Sequence, residues 1–354
     1  MNLMASCLRV FPVLGFALLT QAYAQTTPIV NLPQPDSAGW IHLFRGTNTS
    51  DFYAYTAGGP PSKNQLPFPG TPFFVQSGDT IRTTGSPNGQ LIFRQPFSHY
   101  LATVELMWPN SLGNTGMMTK IQVDDTGQGG GLPRAIECQG DPNQGMGQVW
   151  ALGSIGGVSG GTWITLHAKS ITHPQNPSQT ARQADSTAPE IDYGGVGAPS
   201  NNLIVGYPGW MQPRPAALTS TPRGWVTFLV ESHGRDTTRH FINGQKVMQY
   251  TNPRIAPRAN ANQVIKYLTE GMLSLQSEGT VVWYRNFKIK LLPQDPLYAA
   301  LYGSVNLKNR IQPKTFSVKS LMTLSLSGGR MVLVSKAGIP YSLAGRILPV
   351  LNVK

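Results

Sequence analysis

From Ser98 to Trp108 the chain alternates as a β-strand does. Tyr100, Ala102, Val104, Leu106 and Trp108 are all apolar, while His99, Thr103, Glu105 and Met107 lie between them, together with Leu101. Successive side chains in a strand point to opposite faces, so the first set predicts a core face and the second an outer one. Shorter stretches repeat the pattern. On Gly271 to Glu278, Leu273 and Leu275 fall on one face and Gln276 and Glu278 on the other. On Pro133 to Gln139, Ile136 and Cys138 oppose Glu137 and Gln139. No long segment keeps a 3.6-residue apolar period.

The pattern predicts some twelve short strands divided by turn signals, which is a β-sandwich of two sheets. Phe73 to Val75, Thr80 to Thr84 and Gln90 to Arg94 read as strands. Ser77-Gly78-Asp79 and Pro87-Asn88-Gly89 read as hairpin turns between them. Met117 to Val123, Thr162 to Lys169, Trp225 to Glu231 and Val281 to Leu291 continue the series. Asn243-Gly244 predicts a type I′ turn between Thr238–Ile242 and Gln245–Tyr250. Residues 170–222, rich in Pro, Ser, Gln and Asn, are expected to form a long surface excursion. After Pro296 the character changes. Asn306 to Thr315 reads as a linker, and Phe316–Val318, Leu321–Leu326, Met331–Ser335 and Ile347–Val353 read as strands of a small β module.

Composition agrees with a turn-rich β protein: 354 residues with 38 Gly, 29 Pro and only 12% charged residues. The net charge of +12 is uneven. Residues 25–295 hold all 16 acids against 19 Lys and Arg, whereas 296–354 hold eight basic residues and no acid. The excess is a basic tail without aromatic platforms, which argues against nucleic acid as a partner. Attraction to an anionic surface or matrix is the milder implication. The first 24 residues read as a secretory signal, with Arg9, an apolar run from Val10 to Leu19 and Ala22-Tyr23-Ala24 as the cleavage site. That run is too short to span a bilayer comfortably, so no stable membrane span is expected after cleavage. Export to the bacterial periplasm or medium is the expected location. The domains are then residues 1–24, 25–295 and 296–354. Cys7 would leave with the leader, so Cys138 is the one cysteine of the exported chain and no intramolecular disulfide is expected.

Candidate chemistry gathers on PRAIECQ, Pro133 to Gln139, and GQVWALG, Gly147 to Gly153. Buried glutamate is rare unless paired, so a strand that offers Glu137 beside Gln139 calls for an explanation. The bland one is an exposed or salt-bridged strand residue. Gln148 and Trp150 follow on one face of the next strand, as an aromatic and a polar group at a sugar site would. Core packing is an equal claim on Trp150 and Trp163. Glu105 and Glu278 are further carboxylates on non-core faces. His167 and His240 are candidate acids or ligands, with a structural role as the commoner alternative for each. Asp124-Asp125 reads first as a solvated turn. The Glu-x-Asp-x-x-Glu pattern of retaining glucanases is not met: Glu190-Ile191-Asp192-Tyr193-Gly194-Gly195 lacks the last acid. No nucleophile elbow or phosphate loop is present.

Taken together, GWIHLFRGTNTSDFYAY from Gly39, SGDTIRTTGSPNGQLIF from Ser77, FSHYLATVELMWP from Phe97, GNTG from Gly113, PRAIECQ, GQVWALG, HFINGQKV from His240 and GMLSLQSEGTVVWYRNFKIK from Gly271 resemble the 3-keto-disaccharide hydrolase domain family. They stand in that family's order over residues 39–292. Gln148 stands where the family often has Asp, and Thr115 where it often has Ser. The resemblance implies an all-β, concanavalin-A-like jelly roll followed here by a small C-terminal β module. It also implies action on sugars oxidised at C3. A ketone there acidifies the C2 proton; a base removes it, the C1 substituent leaves, and water adds to the enone. An acid for the leaving oxygen and a polarising group, a divalent metal being one option, complete the set. Glu137 is then the first candidate, as base or metal ligand, with Glu105, His240 and His167 behind it. Gln139, Trp150, Gln148, Glu278, Gln276 and Asn114 are the candidate substrate contacts. Two functions remain open at this level: a hydrolase or lyase on 3-keto glycosides, and a non-catalytic glycan-binding sandwich. The scaffold alone serves either. Convergence of Glu137, Glu105 and Glu278 in one concave pocket with a His nearby would favour the first; a groove lined with aromatics and amides while the acids scatter would favour the second.

Overall fold

A computed structural model describes residues 29–56, 65–122, 133–142, 145–152, 162–173, 176–194, 204–205, 224–255, 265–303, 322–327, 330–335 and 340–341. The chain divides into two compact units, residues 1–303 and 304–354.

The first unit is a sandwich of two sheets. The larger runs in the order Ile204–Val205, Asn176–Ala184, Thr162–His173, Gln245–Ile255, Thr237–Ile242, Val226–His233, His99–Met107, Trp283–Leu291, Thr80–Thr83, Phe73–Ser77. Ile41–His42, Glu190–Gly194 and Lys266–Tyr267 add short pairings to it. The smaller runs Val149–Leu152, Ala135–Gln139, Gly116–Ile121, Met272–Ser277, Gly89–Phe93, Phe52–Thr56, Gln65–Leu66. Alternation on each strand builds the core between them. Tyr100, Ala102, Val104, Leu106 and Trp108 are fully buried from one sheet; Leu91, Phe93, Met117, Ile136, Cys138, Leu273 and Leu275 meet them from the other. Each large apolar side chain so buried contributes about 1.5–3 kcal/mol. Phe44, Phe52, Phe68 and Phe93 add edge-to-face contacts at one end, with centroids 5.0–5.8 Å apart.

Three expectations are corrected. Pro87-Asn88-Gly89 is no hairpin: Thr80–Thr83 and Gly89–Phe93 lie in different sheets, so the segment carries the chain across the sandwich. The 170–222 stretch is not an irregular excursion where it is described. Thr162–His173 pairs with Asn176–Ala184 in antiparallel register, and Glu190–Gly194 pairs back on Trp163 to His167. The main unit also runs past Asp295. Helix Tyr298–Tyr302 belongs to it, because Leu297 and Leu301 are buried in its core and Tyr302 donates from its hydroxyl to the Gly39 carbonyl at 2.8 Å.

Asn243 and Gly244 both take the left-handed conformation that a type I′ turn requires. Cys138 is free and buried. In the second unit Met322–Ser327, Arg330–Ser335 and Pro340–Tyr341 form a three-stranded antiparallel sheet. The leader, the 306–315 linker, Asp124-Asp125 and the strands expected at 316–318 and 347–353 lie outside the described residues.

A candidate active site on the smaller sheet

The face of the smaller sheet that points away from the core is assembled by register. Tyr53 pairs with Ile92, Ile92 with Ser274, Ser274 with Met118, Met118 with Glu137, and Glu137 with Trp150. One row therefore crosses six strands and ends in a carboxyl beside an indole. A parallel row beside it is polar: Tyr55 pairs with Gln90, Gln90 with Gln276, and Gly116 with Gln139. Most of these side chains are buried although they face away from the core, Glu137 being only 3% exposed.

Glu137 shows the cost of that placement. Oε1 has no hydrogen-bond partner among the described residues. Burial pushes its carboxyl well above the ordinary glutamate range, and Glu278 and Asp141 push it further. A carboxyl in such a setting is shifted towards its neutral, proton-donating form. The space for it exists because residue 116 is glycine: a Cβ there would strike Oε1 and come within 3.0 Å of Cγ and Cδ.

Glu278 is half-buried at the end of its strand. Gln276 donates from Nε2 to Oε2 at 2.6 Å. Burial raises its carboxyl, and a hydrogen bond from Asn114 holds it down. Asn114 is positioned by its neighbour, since Thr115 donates from Oγ1 to the Gln276 carbonyl at 3.1 Å and touches the Tyr284 hydroxyl. Gln139 turns its side-chain oxygen to the Gly140 amide, 3.0 Å away. Several polar atoms on this face have no partner among the described residues: Gln90 Nε2, Gln276 Oε1, Asn114 Oδ1 and Trp150 Nε1. Unsatisfied buried groups cost about 1–3 kcal/mol each, and others lie in the core and on the larger sheet, among them Tyr100, Tyr250 and Trp163.

Of the expected site residues, the structure brings together Glu137, Gln139, Trp150, Gln276, Glu278 and Asn114, with Gln148 buried beside Gln139, whose backbone N–H bonds to the Gln148 carbonyl. It does not bring the other three. Glu105 lies on the larger sheet, where Arg285 Nε and Asn286 Nδ2 donate to it at 2.7 and 3.0 Å. His167 is exposed, with Nδ1 2.7 Å from the Ala188 carbonyl and Nε2 3.4 Å from Glu190. His240 is fully buried inside the sandwich, 3.2 Å from the Gly147 carbonyl and edge-on to Tyr250; burial lowers it to about 4. Trp163 packs against the Arg254 guanidinium on the larger sheet. Sequence reading missed Asp141, Gly116, Gln90, Tyr55 and Tyr53. A glycine opposite Gln139 and the period-two partners of Ile92 were the available signals.

Among the described residues no three His, Cys, Asp or Glu side chains are grouped to hold a metal ion. Glu137 in particular is held towards its neutral form. The donor set does not fit a divalent metal, and no step is routed through one.

The first unit is thus a two-sheet jelly-roll sandwich with an acid and amide face on its smaller sheet. The chain belongs to the 3-keto-alpha-glucoside-1,2-lyase-like domain family, whose model matches residues 39–290. No curated protein matches. Solved structures with a similar outline include a putative glycosyl hydrolase from Parabacteroides distasonis, 15% identical over 72% of this chain and 94% of that one, with a TM-score of 0.39. The carbohydrate binding module CBM66 from Bacillus subtilis is 7% identical over 69% and 97%, at 0.32. A galectin-like protein of unknown function from Bacillus subtilis is 10% identical over 74% and 98%, at 0.35.

Proposed function

We propose that this chain is an exported enzyme that cleaves 3-keto glycosides, with the smaller-sheet face as its active site. Family membership supports a carbohydrate-directed role. The observation that carries the catalytic reading is the pair of carboxyls with unlike environments, one enclosed and pushed towards its neutral form, the other half-open and held by two amides. Such pairs divide acid and base duties.

Glu137 is the proton donor to the departing C1 oxygen, which reverses the role of base expected from sequence. Glu278 accepts the C2 proton that the adjacent ketone has acidified, and Gln276 and Asn114 hold it in place. The electron pair of the C2–H bond then forms the C1–C2 double bond as the glycosidic bond breaks. Water adds to that double bond to complete hydrolysis; if it does not, the enone is the product of a lyase. Trp150, directly opposite Glu137, offers an indole face to a sugar ring. Export rests on the N-terminal leader read from the sequence.

The test is turnover of p-nitrophenyl 3-keto-glucoside by the purified chain and by Glu137→Gln, Glu278→Gln and Glu105→Gln. Loss of at least about a hundredfold in the first two, with Glu105→Gln unchanged, is expected for general acid–base groups. No turnover by the parent chain, together with saturable glycan binding, would leave the amide-lined face as a binding site only.

A further inference from the structure

The outer face of the larger sheet carries a second row that the proposed chemistry does not use. Phe74 pairs with Arg82, Arg82 with Trp283, and Trp283 with Met107. Val226 pairs with Leu106, which places Trp225 opposite Met107. Their chain neighbours Phe73, Val282, Tyr284, Leu106 and Val226 are all core, so these side chains point outward, and all are partly or fully exposed. The aromatics recur on every second strand, about 10 Å apart. A sheet face with rings at that interval presents them in one line to an extended polymer.

Cations are built into the row. The Arg285 guanidinium lies 4.0 Å from the centre of the Trp225 ring, and Arg82 lies 5.1 Å from that of Phe74. Glu105 fixes Arg285 in that pose through a 2.7 Å bond from Nε. Lys288 sits over Trp40 at 5.2 Å, and Lys290 follows on the same strand face. Against these four cations stand Glu105, Asp36 beside Lys288 and, in the adjoining turn, Asp79, which is engaged by the Asn286 backbone N–H; Lys290 donates from Nζ to the Ala38 carbonyl at 2.8 Å.

We infer that this face is a second glycan-binding surface whose ligand is a linear acidic polysaccharide. Trp283, and the faces of Trp225 and Phe74 that Arg285 and Arg82 leave uncovered, stack on sugar faces. The flanking guanidiniums meet carboxylate or sulfate groups, for which their planar donor fork is suited. The row's four cations outnumber its acids, which favours an acidic glycan over a neutral one. The surface lies on the other sheet from Glu137, so it holds a polymer while the smaller sheet acts, and its failure is read separately from that of the catalytic reading.

The experiment is affinity electrophoresis of the full chain through gels containing polygalacturonate, dextran sulfate or neutral dextran, with thermal unfolding to confirm that each variant is folded. Retardation by both polyanions and not by dextran is expected. Trp225→Ala and Trp283→Ala should each weaken it about tenfold or more. Arg82→Gln should weaken it and flatten its salt dependence, and Trp283→Tyr should retain it. Should an alanine variant fail to fold, Arg82→Gln and Trp283→Tyr decide. Unchanged retardation in the ring and Arg82 variants would place polyanion binding on the basic C-terminal unit and overturn the proposal. So would equal retardation by dextran, or equal affinity for single-stranded poly-dT.

Discussion

The carboxyl of Glu137 lies over Gly116, across one strand pair, in space that any other residue at 116 would fill. The relationship is stricter than the register alone. Gly116 pairs with Gln139 and Glu137 with Met118, so the glutamate leans diagonally over its neighbour.

Gly116→Ala should therefore act through Glu137. Its backbone is ordinary extended strand, so the added methyl meets one movable side chain and a modest loss of stability, about 1–2 kcal/mol, is expected. Turnover should fall at least about tenfold because the acid is displaced from Trp150 and Glu278. A double-mutant cycle with Glu137→Gln separates this from general damage. The two losses should be far from additive, whereas additive losses would mean that the methyl does something else.

Alternation made much of this legible. The face assignments of Ser98–Trp108, of Ile136 and Cys138 against Glu137 and Gln139, and of Leu273 and Leu275 against Gln276 and Glu278 all hold, because a period of two leaves one arrangement that buries the apolar set. The period says which face of a strand is polar; it does not say which sheet owns the strand. Glu105 and Glu137 looked alike for that reason and lie on opposite sheets. Asn176–Ala184 was illegible for a different reason. Its sequence, Asn-Pro-Ser-Gln-Thr-Ala-Arg-Gln-Ala, gives no apolar alternation over most of its length, yet the backbone ladder forms. Lys120 gave no signal of burial. Its Nζ donates to Ser232 Oγ, Gly234 O and Thr269 O, and burial lowers it to about 7.

Glu137→Gln should stabilise the protein increasingly as pH rises. The folded carboxyl is raised above its unfolded value of 4.5, so the folded state binds more protons and unfolding releases one. Stability is then fully present below 4.5 and declines as pH climbs towards the folded value. The amide keeps the shape and does not titrate. Denaturant unfolding at a series of pH values above 4.5 should show the variant gaining on the parent as pH rises. A constant offset would mean that Glu137 is ionised in the folded protein, and the assignment of the proton donor would fall with it.

His240 predicts the opposite trend at acid pH. Its folded value is depressed from 6.5 to about 4 by burial, so the unfolded chain takes up the proton first. The stability linked to it is present above 6.5 and is lost as pH falls through that window, on the order of 3 kcal/mol in all. His240→Phe removes the titration and keeps an aromatic against Tyr250, at a cost of about 1–2 kcal/mol near neutral pH for the bond lost at the Gly147 carbonyl. The difference between parent and variant should therefore narrow and then reverse between pH 6.5 and 4. Circular dichroism melts across that range measure it directly. A difference that stays constant would show His240 already protonated or solvated in the fold, and would return it to the list of candidate acids from which its position inside the sandwich removes it.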